Sequence, residues 1–199
     1  MTLALAFLLL LVTVPVAGGR LSRLSEVEIR GLWLVVVAFG VQVLLVTVVP
    51  AGDETLHRAA HVFTYFLAGA CIAMNLNLRF MWVVALGGLL NFVAIAANGG
   101  VMPASGSALD AAGLDPSSEF ANSDLVRHPH VGFLGDVFAI PAGWPGANVF
   151  SVGDAVMVLG AFLVLHAATG SRLFAAREAP RLRDRGAPRA PARPAPPVR

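Results

Sequence analysis

Residues 148–169 read NVFSVGDAVMVLGAFLVLHAAT, a polar, aspartate-bearing mouth that runs directly into an apolar stretch of membrane-spanning length. If that stretch is a span, Asp154 stands at the lip of a bilayer, where an acid is by default a functional hypothesis. Ser151 and Asp154 also have the Ser-x-x-acid spacing of a capping box, in which each side chain binds a free backbone N–H at the start of a helix. Both readings stay open at this point.

Composition around the stretch favours lipid as the solvent. Of 199 residues, 57% are hydrophobic and 13% charged, against roughly 25% charged in an average soluble domain. All 14 basic residues are arginine, and those from Arg172 onward belong to a tail, so no nucleic-acid partner is expected. The single cysteine, Cys71, cannot form an intrachain disulfide. There is no Gly-rich phosphate loop, Ser-His-Asp set or zinc spacing, and neither a cofactor nor a metal is expected. His57 with His61 could suit a metal only if a third ligand joined them, and His128, His130 and Asp136 could supply ligands on one loop, although interfacial and turn histidines are the commoner case.

Working outward, further apolar runs lie at residues 2–17, 32–49, 59–75 and 80–97, with the last at 152–169. The expected fold class is all-α, a polytopic membrane helix bundle of about five transmembrane helices with an outward-facing irregular polar loop. Residues 1–171 form the membrane domain and 172–199 a cytoplasmic Arg/Pro-rich tail, largely disordered because it offers little apolar surface to bury. The first run is short for a span, but no positive charge precedes Arg20, which disfavours a signal peptide. Leu21, Leu24 and Val27 suit either a surface helix or a solvated connector over 18–31. Gln42 is placed to hydrogen-bond a neighbouring helix, and Gly87 and Gly88 to permit close helix approach.

Arginine placement sets the expected orientation. Arg20, Arg23, Arg30, Arg79 and the tail lie on one side, with only Arg58 and Arg127 opposite. The positive-inside rule then puts the protein in the cell membrane as a multi-pass chain, N-terminus outside and C-terminus cytoplasmic. The acidic outer loop, 98–151, faces out.

Phe150, Asp154 and Gly160 match in register the last conserved box of lipoprotein signal peptidases, which this segment resembles. The resemblance implies that Asp154 takes the place of one catalytic aspartate. The family's other aspartate has no counterpart, because GGLLNFVAIAA carries a displaced Asn91 and then Ala94. An aspartyl protease needs two carboxylates sharing a proton, and Asp136 is the substitute the sequence offers. A wider resemblance rests on NGGVMP (98–103), FLGD (133–136) and VFSVGD (149–154), which in this order look like a bacterial family of small multi-pass membrane proteins of unknown function. It implies no activity.

The expected function is a non-enzymatic membrane protein with an outer polar pocket lined by Asn98, Asn122, Asp136, Ser151 and Asp154. Membrane lipids are the expected partners, and the pocket would bind a lipid, a peptide or a transmembrane partner. The alternative is a membrane-embedded hydrolase using Asp154 and Asp136.

Overall fold

The computed structural model describes residues 2–48, 54–115, 123–124 and 128–174. Long helices form on the apolar runs: α1 (Thr2–Val16), α2 (Leu32–Val48), α3 (Glu54–Met74), α4 (Met81–Ala97) and α6 (Val152–Ala168), with a short α5 (Gly106–Ala112) between the last two. A 3-10 turn at Leu21–Glu26 with no buried residue replaces the surface helix considered for 18–31.

The reading of these helices as membrane spans does not hold. Among the described residues no helix is long and apolar enough to cross a membrane. Helices α2, α4 and α6 have 17 residues each and α1 has 15. At 1.5 Å per residue the longest of these reaches about 26 Å, short of a hydrocarbon core about 30 Å thick. Helix α3 has the length, at 21 residues, but its first turns carry Glu54, His57, Arg58 and His61. The all-α reading is corrected as well. The segment expected to be irregular contains a parallel pair, β1 (Met102–Pro103) with β2 (Ser123–Asp124), and an antiparallel pair, β3 (Phe138–Ile140) with β4 (Asn148–Phe150).

Helices α4 and α6 pack antiparallel along a glycine seam. A Cβ at Gly87 would stand 2.6 Å from the Gly153 carbonyl and the Met157 nitrogen, and one at Gly160 2.6 Å from the Val84 nitrogen. The backbones therefore touch directly, and small residues are what allow it. Gly88 takes no part, since its nearest neighbours would be at 3.9 and 4.0 Å.

The other helices are tied by single polar contacts. Gln42 Nε2 donates to Thr64 Oγ1 at 2.9 Å, joining α2 to α3. Asn75, buried at the end of α3, accepts from the Arg30 N–H at 2.9 Å and donates to the Arg30 carbonyl at 2.7 Å, fixing the chain just before α2. Thr13 on α1 meets the buried His166 of α6 at 3.0 Å. The core is thin, and large apolar side chains on every long helix point outward.

The chain between α4 and α6 caps one end of this bundle. Its own small core is Ala104, Ala108, Leu109, Ala112 and Val149. A second cluster, Ala94, Ile95 and Met102 with Val62, Tyr65 and Leu134, fastens it to α3 and α4.

Candidate functional site

The site forms where α6 begins. Ser151 Oγ accepts from the Asp154 N–H at 2.9 Å and Asp154 Oδ2 accepts from the Ser151 N–H at 3.0 Å, which completes the capping box. Asn91 of α4, 2% exposed, closes the arrangement across the glycine seam. Its Nδ2 donates to Asp154 Oδ1 at 2.7 Å, and its Oδ1 accepts from Ser151 Oγ at 2.7 Å. A carboxylate can only accept, so the amide nitrogen must face Asp154. There is no room for a side chain at Gly153, where a Cβ would collide with Asn91 Oδ1.

The loop delivers Asp136 by a chain of backbone constraints. Asn98 pins the end of α4 to the loop, donating to the His130 carbonyl at 2.8 Å and accepting the His130 N–H at 2.9 Å. Val131 follows at φ 47°, a left-handed conformation that a β-branched residue adopts only when its surroundings impose it. Gly135 lies against the Pro103 carbonyl too closely for any Cβ. Asp136 then pairs with the strand after α4, its N–H donating to Pro103 at 2.9 Å and its carbonyl accepting from Ser105 at 3.0 Å. NGGVMP and FLGD thus meet through backbone at Pro103.

Tyr65 of α3 feels both acids. Its phenol is pushed up to about 12, chiefly by burial and then by the charges of Asp154 and Asp136. It stays protonated at neutral pH. His61, one helical turn earlier, stacks on it with ring centroids 5.3 Å apart. Burial lowers the His61 pKa, and its Nε2 is buried with no hydrogen-bond partner among the described residues.

Of the residues expected to line a pocket, Ser151 and Asp154 are bonded to each other, and Asp136 is held by backbone to Pro103 and Ser105. Asn98 serves as the loop tie, and Asn122 lies outside the described residues. Sequence reading gave Tyr65 no role and named Asn91 only as a misplaced motif residue. The available signal was a lone tyrosine at i+4 from a histidine within an apolar run. Among the described residues no group of three or more His, Cys, Asp or Glu is placed to hold a metal ion. Beside the site a groove of about 580 Å³ is lined by Thr55, Arg58, Ala59, Val62 and Gly99.

A family model described as a family of unknown function (DUF5317) matches residues 26–166, about seven-tenths of the chain. The chain belongs to this family. The match takes in α2 to α6 and all three motifs that build the site, and leaves α1 outside. No curated protein and no solved structure matches the chain.

Proposed function

We propose that this family member is a lipid-associated binding protein with no hydrolytic role. One observation carries the lipid part: large apolar side chains are exposed on every long helix, among them Leu8 and Val12 on α1, Trp33 and Phe39 on α2, Phe63 and Phe66 on α3, Trp82 and Leu89 on α4, and Leu159 on α6. A single protein partner would cover one contiguous patch. Exposure on all the helices instead suits contact with lipid, which supports a cell-membrane location.

The groove is lined by Arg58 and Val62 along one face of α3, a cation beside aliphatic carbon, suited to a lipid that is charged at one end. The hydrolase alternative fares worse. Both Asp154 oxygens already accept hydrogen bonds, from Asn91 and from the Ser151 N–H. The dyad mechanism needs that carboxylate to share a proton with a second acid, and Ala94, fully buried, stands where the resembling family has one.

The test uses single-tryptophan variants in vesicles of phosphatidylcholine with brominated acyl chains. Trp33 and Trp82 should be quenched by bromine, and a chain unquenched at both positions would refute lipid contact. The same preparation should leave a prolipoprotein signal peptide uncut. Cleavage by wild type but not by Asp154→Asn would restore the hydrolase reading.

A further inference from the structure

The end of the bundle away from Asp154 gathers arginines from four separate parts of the sequence. The chain after α1 and the chain after α6 clasp each other, through Arg20 N–H to the Thr169 carbonyl at 3.0 Å and Arg172 N–H to the Ala17 carbonyl at 2.9 Å. Arg23 reaches over Gly170 in the same clasp. Arg79, in the α3–α4 reversal, lays its guanidinium over Phe80 at 4.8 Å and Phe174 at 5.2 Å, so this corner adjoins the chain after α6. Arg30 is held to the end of α3 by Asn75.

All five arginines are exposed, against Glu26 and Glu28 as the acids of this end. No described residue forms an ion pair or a hydrogen bond with any of the five guanidinium groups. Asp136 and Asp154 lie at the opposite end.

The arginines are interleaved with apolar anchors. Leu21, Ile29, Leu76 and Leu173 are 43, 49, 51 and 56% exposed. Trp33 and Trp82, 65% and 61% exposed, each stand three residues after an arginine of this end, Arg30 and Arg79. Guanidinium groups with no ion-pair partner among the described residues, beside exposed leucine and tryptophan, match an anionic headgroup layer, in which charges meet phosphate and indole rings sit at the water boundary.

We infer that this arginine end is a docking face for an anionic lipid surface. The inference rests on the lipid-associated reading above and adds a headgroup class and an orientation to it. Each arginine near such a surface contributes about fivefold in affinity, the equivalent of about 1 kcal/mol. Residues 175–199 add seven further arginines in sequence, so the test must separate them from the structured face.

The full chain is floated with vesicles of phosphatidylcholine alone or mixed with phosphatidylglycerol. Wild type should prefer the mixed vesicles at least a hundredfold, and the preference should shrink as salt screens it. Arg20→Gln with Arg23→Gln, in a turn with no buried residue, should reduce the preference by about 30-fold. Glu26→Gln with Glu28→Gln should raise it. Equal flotation with both vesicle types, or a preference undiminished by the arginine pair, overturns the docking face. Flotation with mixed vesicles alone would support this face and refute the apolar contact proposed above. Vesicle-free capture by RNA that competes fully with phosphatidylglycerol would also overturn it, in favour of a nucleic-acid face.

Discussion

Exchanging the partners Asn91 and Asp154 tests whether their chemistry or only their hydrogen-bond complementarity matters. In the native arrangement four bonds link Asn91, Ser151 and Asp154, with donors and acceptors matched one to one. Asp154→Asn turns an acceptor into a donor, so every orientation of the two amides leaves a buried donor unsatisfied beside Ser151, which is 0% exposed. Such a group costs about 1–3 kcal/mol, which in a domain of this size lowers Tm by about 3–10 °C. Asn91→Asp alone instead sets two carboxylates together and costs at least as much. The double exchange restores the match: the acid at 91 accepts from Ser151 Oγ and the new amide, and the new amide oxygen accepts the Ser151 N–H. Thermal unfolding followed by far-UV circular dichroism should show the double variant more stable than the sum of the two single losses by about 1–2 kcal/mol, the coupling expected of residues in one network. Recovery will be incomplete because the charge moves to a more buried position. Strictly additive losses would refute the network as the reason for these residues.

Adjacent glycines on α4 should respond with opposite sign. Gly87→Ala drives a Cβ into the backbone of α6 at 2.6 Å and should cost about 1–3 kcal/mol, whereas Gly88→Ala meets nothing closer than 3.9 Å and should gain up to about 1 kcal/mol from helix propensity; a shared sign in thermal melts would defeat the seam. Tyr65 is the sole tyrosine, so the ultraviolet absorbance of phenolate reports it directly, with a midpoint at about 12 in the folded chain. Asp136→Asn should lower that midpoint without returning it to about 10, because burial is the larger cause, and a native midpoint at 10 would refute the buried placement.

Apolar periodicity located the five long helices closely, because a run of such residues with few breakers forms a helix whatever surrounds it. It misjudged their extent as spans, by about a turn in α2, α4 and α6 and by about a turn and a half in α1. Pro15 stands at the end of α1 and the paired glycines Gly99 and Gly100 follow α4, and hydropathy alone does not register where such breakers stop a helix. Gln42 and Gly87 were legible for the same local reason, since a polar group in an apolar run needs a partner and a missing side chain invites close approach. The sheet pairs were not. Each is only two or three residues long, and the loop's separate tie to the strand after α4, with Gly135 against Pro103, is a contact more than 30 residues apart in sequence that no local pattern encodes.

The motif at the start of α6 shows how one spacing can serve packing whatever chemistry it suggests. Phe150, Asp154 and Gly160 all have packing duties here. Phe150 stacks on Phe138 across the β3–β4 pair, with ring centroids 5.4 Å apart. Asp154 closes the capping box, and Gly160 lets the Val84 backbone approach. Any helix that starts from a strand, caps with an acid and crosses a neighbour two turns later needs an aromatic, an acid and a glycine at about these positions. The spacing therefore records how such a helix is begun and docked. Whether the acid also does chemistry is decided by what faces it, and in this chain that is the amide of Asn91.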